Sequence, residues 1–204
     1  MAPEGKSRFV VLEGLDGAGT TTQAGLVAAA LRERGKDVCL TAEPSDGPLG
    51  RVARAHVRHE ISLSPEAIAL TFVADRADHL ARVIRPALEA GQWVVCDRYV
   101  LSTLAYQGAE GVDRLWVLRA SGSLLAPDLT MFLDVPAAHR RARMASRAAT
   151  ERYEDAALQD ELSSSYRTSI DLLSSEGHRI ATVAGTGDPE AVCRAIMAEL
   201  DALP

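Results

Sequence analysis

Short apolar runs alternate with helical stretches through most of the chain, and this alternation restricts the fold more than any other sequence feature. The runs are continuously apolar, which is typical of strands that are covered on both faces. Strands and helices in this order predict one parallel sheet between two layers of helices, a three-layer α/β/α fold. The five predicted strands cover residues 8–13, 37–43, 92–97, 127–135 and 178–183.

Helical periodicity and typical boundary residues occupy the segments between the predicted strands. Gly35 ends the first helix, and Ser64 and Pro65 begin a long one. Asp188 is expected to cap the last helix, and the Pro- and Gly-rich residues 43–50 are expected to form a loop. The predicted helices cover residues 20–34, 65–90, 100–107, 113–124, 136–147, a stretch before the last strand, and 188–200.

Composition and charge narrow the class of protein. The chain has 204 residues, of which 47% are hydrophobic and 25% are charged, as in an ordinary globular domain. A net charge of -6 argues against a general nucleic-acid binder, and no apolar stretch approaches the length of a membrane span. The three cysteines share no metal or redox spacing, so we expect a reducing compartment, the cytoplasm. We expect residues 1–7 to be a disordered tail and residues 8–204 to be one domain.

The segment GLDGAGTTTQ, residues 14–23, nearly matches a phosphate-binding loop. The pattern is Gly, four residues, Gly, Lys, then Ser or Thr. Gly14, Gly19 and Thr21 match it, whereas Thr20 takes the place of the lysine. Between a strand and a helix, the backbone N–H groups of such a loop cradle phosphates, and a hydroxyl at Thr21 can coordinate Mg²⁺. Without its lysine the pattern is weak by itself, and a Gly-rich turn joining strand to helix is the alternative.

Two charged residues, Asp97 and Arg98, directly follow the third predicted strand. They therefore lie at the same edge of the sheet as the loop. An aspartate there can hold Mg²⁺ or its waters, and an arginine can bridge phosphates with its two-pronged guanidinium. An exposed ion pair at the end of a strand is the alternative.

A cluster of arginines follows the fourth predicted strand. A solvated helix face is the common explanation for such a run, but a basic segment that folds over a nucleotide would supply the charge that phosphoryl transfer needs. The chain has two lysines, Lys6 and Lys36, so any substitute for the missing loop lysine is expected to be an arginine. The cluster consists of Arg140, Arg141, Arg143, Arg147 and Arg152.

From about Phe9 to Leu200 the sequence resembles the thymidylate kinases, or dTMP kinases. The motifs match in order and spacing: FVVLEGLDGAGTTTQ, Glu43-Pro44, FVADRADHL at 72–80, DRYVLSTLAYQG at 97–108, PDLTMFLDV at 127–135 and RYED at 152–155. The resemblance implies a P-loop NTPase-like fold in which residues 8–204 form one nucleoside monophosphate kinase domain with a short helical lid at about 140–155. It also implies ATP and dTMP as substrates, Mg²⁺ as cofactor and a homodimer.

The resemblance also assigns roles to individual residues. Asp16 would face the sugar of the acceptor and help to place its phosphate. Phe72 would stack on thymine and Arg76 would donate to a thymine carbonyl; without the resemblance, Phe72 would be interpreted as a core aromatic. Arg98 would bridge the two substrates' phosphates, and Tyr106 would leave no room for a 2′ hydroxyl. The implied dTMP set is Asp16, Glu43, Pro44, Phe72, Arg76, Arg98, Ser102, Tyr106 and Gln107.

The remaining implied sites concern ATP, the metal and catalysis. Because Gly17 follows Asp16, the sequence resembles the bacterial type, in which lid arginines complete the site, and Arg147 is expected to reach the transferred phosphoryl group. The metal site would use Thr21 and Asp97. The implied ATP set is Gly14, Leu15, Asp16, Gly17, Ala18, Gly19, Thr20, Thr21, Thr22, Arg143 and Arg147, and the catalytic set is Asp16, Arg98 and Arg147.

The sequence departs from the family pattern at three positions. Besides Thr20, Ala42 precedes Glu43-Pro44 where bacterial members have arginine, and Thr103 stands where some have asparagine. Two alternatives to a dTMP kinase therefore stay open at this point. One is a kinase for another deoxynucleoside monophosphate, such as dUMP or a 5-modified dUMP. The other is a nucleotide-binding paralogue with weak or no catalysis.

Overall fold

A computed structural model describes residues 7–122, 125–144 and 156–204, and only the backbone of residues 156–159. It confirms the predicted parallel sheet. Its five strands pair in parallel in the order β2-β3-β1-β4-β5. The central strand, β1, therefore has β3 on one side and β4 on the other. The strands are β1 Phe9–Glu13, β2 Val38–Ala42, β3 Trp93–Asp97, β4 Leu129–Asp134 and β5 Ile180–Ala184.

Helices connect the strands and begin largely where the sequence predicts. The Ser64 hydroxyl accepts the Ala67 N–H at 3.3 Å, with Pro65 at the first helical position. Gly35 has a φ of 77°, in the left-handed region that favours glycine at a helix end. The described helices are α1 Thr20–Glu33, α2 Pro48–Val57, α3 Pro65–His79, α4 Arg85–Glu89, α5 Val100–Ala109, α6 Arg114–Ala120, α7 Ala137–Met144, α8 Ala156–Ser175 and α9 Pro189–Asp201.

One expectation about the helices was wrong, and two were right in position but differ in detail. Helix α2 begins at Pro48, inside the segment expected to be a loop; a Cβ at Gly50 would collide with the backbone of Ser45, so glycine is what lets the helix pack there. The long helix is interrupted by a π-helical turn, Leu80–Ile84, because Pro86 has no N–H with which to continue the α-helical pattern. Asp188 occupies the N-cap position of α9 as expected, although its side chain accepts no cap hydrogen bond from the described residues.

Two hydrophobic cores cover the two faces of the sheet. Alternate residues of β1 belong to different cores: Phe9 and Val11 to one, Val10 and Leu12 to the other. The first core is completed by α3, α5 and α8, and the second by α1 and α9. Because Leu12 pairs with Asp97, the carboxyl ends of β1 and β3 lie side by side, and the residues that follow both strands meet at one edge.

Candidate active site

The phosphate loop connects β1 to α1 at this edge. The side chains of Leu15 and Ala18 are buried in the two cores, so the loop can offer a phosphate mainly its backbone N–H groups. Gly17 and Gly19 have φ values of 81° and 94°, which favour glycine. A Cβ at Gly17 would lie 2.7 Å from the carbonyl oxygen of Arg140, so this glycine also lets α7 pack against the loop.

Thr20, which replaces the usual lysine, is a buried residue at the start of α1. Its side chain is 5% exposed, and its Cγ2 methyl lies 3.2 Å from where a Cβ of Gly14 would be. Lys36 lies beyond the opposite end of α1. Within the described ranges, therefore, no lysine stands near the loop.

Thr21 and Asp97 lie together beside the loop. The Thr21 hydroxyl donates to Asp97 Oδ2 at 2.5 Å, and the other carboxylate oxygen, Oδ1, is buried with no hydrogen-bond partner among the described residues. A hydroxyl and an unpaired carboxylate oxygen are hard ligands of the kind that Mg²⁺ takes from a protein, with phosphates and water completing its shell. The described residues contain no group of three or more His, Cys, Asp or Glu side chains that could hold a metal ion. The Thr21 hydroxyl and the Asp97 carboxylate supply two oxygen ligands, which fits a metal that takes its other ligands from phosphates and water.

Arg98 projects from the turn between β3 and α5, and its backbone has an unusual φ of 69°. Its side chain is 21% exposed. One guanidinium nitrogen, NH2, donates to Asp16 Oδ1 at 2.7 Å, and the other, NH1, donates to the Gly14 carbonyl at 2.9 Å. NH1 also lies 3.2 Å from the hydroxyls of Ser102 and Tyr166. A cation is thereby held against the first residue of the phosphate loop.

An open cleft of about 110 Å³ begins at Arg98 and Asp16, and its lining combines aromatic and polar side chains, as small-molecule sites do. Phe72 is half-buried and lines the cleft, whereas a purely core aromatic would be fully buried. Tyr106 donates from its hydroxyl to Asp16 Oδ2 at 2.9 Å. All nine residues expected to contact dTMP line this cleft, together with Val57, Tyr99 and Thr103.

A buried arginine occupies another part of the cleft wall. Arg76 is 1% exposed and donates from Nε to Glu43 Oε2 at 2.9 Å and from NH2 to the Thr103 hydroxyl at 2.9 Å. Its guanidinium carbon lies 4.7 Å from the ring centre of Tyr99. His79 fixes the other oxygen of Glu43, at 3.2 Å. The NH1 group of Arg76 has no partner in the described part of the chain, which leaves one oriented donor available to a ligand.

Two residues beside Arg98 were not predicted from the sequence to belong to the site. Tyr166, on α8, is fully buried, and its hydroxyl reaches the Gly14 carbonyl at 3.1 Å. Glu13 is the last residue of β1 and is also fully buried; burial raises the pKa of its carboxyl to about 7. The sequence signal for Glu13 was a charged residue at the end of an otherwise apolar strand, whereas Tyr166 resembles any core aromatic on an amphipathic helix.

The pKa of Glu13 predicts how stability depends on pH. The folded protein holds this proton more tightly than the unfolded chain, so the free energy of unfolding should fall as pH rises from about 4.5 to about 7. A difference of this size corresponds to a loss on the order of 3 kcal/mol. Urea unfolding at pH 5 and pH 8 should show a shallower pH dependence for Glu13→Gln than for wild type. Equal slopes for the two proteins would contradict the prediction.

The arginine cluster lies only in part within the described residues. Arg143, on α7, donates to the carbonyls of Ala18 at 3.0 Å, Gly17 at 3.2 Å and Gly185 at 3.1 Å, and so rests on the phosphate loop. Arg140 is 2% exposed and donates to the Val135 carbonyl at 3.1 Å. The positions expected to complete the lid, including Arg147, Arg152 and the RYED motif at 152–155, lie outside the described residues.

The site combines a phosphate loop with Thr21 and Asp97, which can hold a metal ion, and with Arg98, which also borders the cleft. These features define a nucleotide-binding protein of the P-loop α/β class. A family model described as thymidylate kinase matches residues 12–196. The chain therefore belongs to the thymidylate kinase family, whose members are nucleoside monophosphate kinases. Within the described segments, every helix is too short or too polar to cross a membrane.

Individual relatives agree with the family assignment. The thymidylate kinase of Rhizorhabdus wittichii is 43% identical over 209 residues, covering 97% of this chain and 99% of that protein. That of Thermomicrobium roseum is 50% identical over 149 residues, 71% of this chain and 70% of the relative. A probable thymidylate kinase of Pyrococcus horikoshii is 46% identical over 133 residues, 63% of this chain. The chain spans 65% of the length of the Pyrococcus horikoshii and Pyrococcus abyssi relatives.

Proposed function

We propose that this protein transfers the γ-phosphoryl group of ATP to dTMP, giving dTDP and ADP. The observation that carries the proposal is the position of Arg98, which lies between the phosphate loop and the cleft and contacts residues of both. A donor phosphate on the loop and an acceptor phosphate at the near end of the cleft would meet at this guanidinium. The membership of the chain in the thymidylate kinase family supports the same conclusion.

In the proposed complex the thymine base lies between Phe72 and Arg76. The unpaired NH1 of Arg76 would donate to a ring carbonyl, which thymine and uracil present where cytosine has an amino group. Tyr106 and Asp16, already joined by a hydrogen bond, would border the sugar. A phosphate oxygen of dTMP attacks the γ-phosphorus of ATP, the bond to the β-phosphate oxygen breaks, and ADP leaves.

Residues at the carboxyl edge of the sheet would stabilise the negative charge that develops during this transfer. The guanidinium of Arg98 neutralises charge that develops on the transferred group, since phosphoryl transfer depends mainly on positioning and electrostatics. Thr21 and Asp97 would hold Mg²⁺, which would neutralise negative charge on the bound ATP. Arg143 on the loop and Arg147 in the lid complete the proposed ATP site. The homodimer and the cytoplasmic location implied by the resemblance stay predictions.

Steady-state kinetics with ATP, Mg²⁺ and a panel of monophosphates tests the function. We expect turnover with dTMP and strong discrimination against dCMP. Equal or better turnover with dUMP or a 5-modified dUMP would favour the related kinase instead. Nucleotide binding by calorimetry without any turnover would overturn the proposal and favour a binding paralogue.

Thr20→Lys tests whether Arg98 replaces the loop lysine. Because Arg98 already donates to the Gly14 carbonyl, we expect kcat to change by less than about tenfold, whereas an uncompensated missing donor is worth about 100- to 1000-fold. Ala29→Lys, at an exposed position of the same helix away from the loop, controls for the added charge. A gain of about 100-fold in kcat for Thr20→Lys alone would show that the site lacks a cation.

A further inference from the structure

Glu13 links the phosphate loop to the turn that carries Arg98. It precedes Gly14 directly and ends β1 at the centre of the sheet, where it is fully buried. Its Oε1 accepts the Tyr99 N–H at 2.8 Å and the Ser102 N–H at 3.1 Å, and its Oε2 accepts the Ser102 hydroxyl at 2.5 Å. Each of these three donors lies within four residues of Arg98.

The two backbone contacts make Glu13 a cap for α5 that comes from another strand. Tyr99 is the N-cap residue of α5 and provides no side-chain cap of its own. Glu13 accepts the free N–H groups of the first turn instead, and a negative charge is favourable at that end of a helix. The cap fixes the start of α5 immediately after Arg98, whose φ of 69° would otherwise be costly to maintain.

The third contact sets the direction of a hydrogen-bond chain. An ionised carboxylate can only accept, so the single hydroxyl proton of Ser102 is directed to Glu13. The Ser102 oxygen then presents a lone pair to Arg98 NH1, 3.2 Å away. The Tyr166 hydroxyl lies 3.0 Å from the Ser102 oxygen and 3.1 Å from the Gly14 carbonyl, and its single proton is shared between these two acceptors. With this orientation Ser102 accepts from the guanidinium. A protonated carboxyl or an amide at position 13 would instead donate to Ser102, take one of its two lone pairs and turn its proton towards Arg98 and Tyr166, which weakens the contact with the guanidinium.

We propose that Glu13 is a positioning residue for phosphoryl transfer: its ionised carboxylate orients the Ser102 hydroxyl and the first turn of α5, and so holds Arg98 for the phosphates. The inference rests on the proposed function, because it assigns Arg98 a place in the transfer. It adds a residue that lines neither the cleft nor the phosphate loop.

Because burial raises the pKa of Glu13 to about 7, this carboxyl changes its charge near neutral pH. The charged or titratable groups that interact with it are Arg98 and Cys96 from the turn and the strand β3, and Tyr166 from α8, while Tyr99 donates its backbone N–H. Among the described residues, Asp16 and Tyr106 are linked to it only through Arg98. Burial raises the pKa of Cys96, Tyr106 and Tyr166, which moves their titration towards alkaline pH. Arginine stays charged throughout. The active, ionised form of Glu13 should therefore disappear as the pH falls below about 7.

The test compares Glu13→Gln with wild type in kcat and in KM for dTMP, from pH 5.5 to 9. Glutamine keeps an oxygen for the two backbone donors, but its amide donates to Ser102, so the cap persists while the chain reverses. At pH 8 we expect kcat to fall by about 10- to 100-fold. KM for dTMP should change less, since Phe72 and Arg76, which would hold the base, lie outside the hydrogen bonds that connect Glu13 with Arg98. As the pH falls below about 7, kcat of the wild type should decrease more steeply than kcat of Glu13→Gln, because the variant has no carboxyl to protonate at this position. Protonation of the substrate phosphates affects both proteins equally.

Ser165→Ala is the matched control. Ser165 also links α8 to α5, with a hydroxyl that donates to the Ala105 carbonyl at 2.6 Å, but none of its hydrogen bonds involves Arg98. This variant should keep the wild-type pH profile. A Glu13→Gln variant with the kcat and the pH profile of wild type would overturn the inference. A variant with a lower kcat but the same decrease of kcat at acid pH as wild type would also overturn it, because that result indicates a structural role alone. No turnover by wild type would instead be a failure of the proposed function.

Discussion

Arg98→Ala is expected to lower kcat by at least about 1000-fold, the range measured for an arginine that stabilises the charge of a transferred phosphoryl group. Thr20 takes the place of the loop lysine, and among the described residues Arg98 is the cation at the start of the loop, where its NH1 donates to the Gly14 carbonyl at 2.9 Å. Its other nitrogen is fixed by Asp16 at 2.7 Å, so the guanidinium is oriented before substrate binds. Steady-state kinetics with ATP and dTMP measures the loss.

Two variants separate chemistry from general damage. Arg98→Lys keeps the positive charge but cannot span two acceptors, so its kcat should lie between those of wild type and Arg98→Ala. Arg82→Ala removes an arginine whose side chain is 73% exposed and paired with Asp78, and should leave kcat unchanged. Circular dichroism shows whether each variant is folded. A folded Arg98→Ala protein with kcat within about tenfold of wild type would exclude Arg98 from the transfer.

The sheet and the edge at which the site lies could be predicted because both follow from local patterns. Continuous apolar runs identify strands covered on both faces, and the loop glycines stand between the first run and the first helix. Asp97 and Arg98 were expected at that edge because they end a neighbouring strand, and the pairing of Leu12 with Asp97 brings them beside the loop. Residue identity and position along a strand were sufficient for these predictions.

What could not be predicted depends on contacts between distant segments. Helix α2 was missed because Pro48 and Gly50 favour a loop locally, whereas in the fold Pro48 begins the helix and Gly50 allows the backbone of Ser45 to approach. Glu13 was missed because a charge at a strand end is usually solvated. Its burial follows only from the first turn of α5 closing over it, 86 residues away at Tyr99.

Arg76→Met is expected to have the largest effect on stability and to impair dTMP use as well. Arg76 and Glu43 are 1% and 4% exposed and 2.8 Å apart, and removing one partner of a buried pair typically costs about 3–5 kcal/mol because the other charge is left uncompensated. Losing the free NH1 donor should also lower kcat/KM for dTMP by about 10- to 100-fold, the equivalent of one charged hydrogen bond. Urea unfolding and steady-state kinetics measure the two effects.

The double variant Arg76→Met with Glu43→Gln separates the two effects. Neutralising Glu43 removes the uncompensated charge, and glutamine can still bond to His79, so most of the lost unfolding free energy should return. The donor to the base is still absent, so kcat/KM for dTMP should stay low while the discrimination between dTMP and dCMP narrows. Recovery of kcat/KM together with stability would show that Arg76 only supports the fold, and that the base is recognised elsewhere in the cleft.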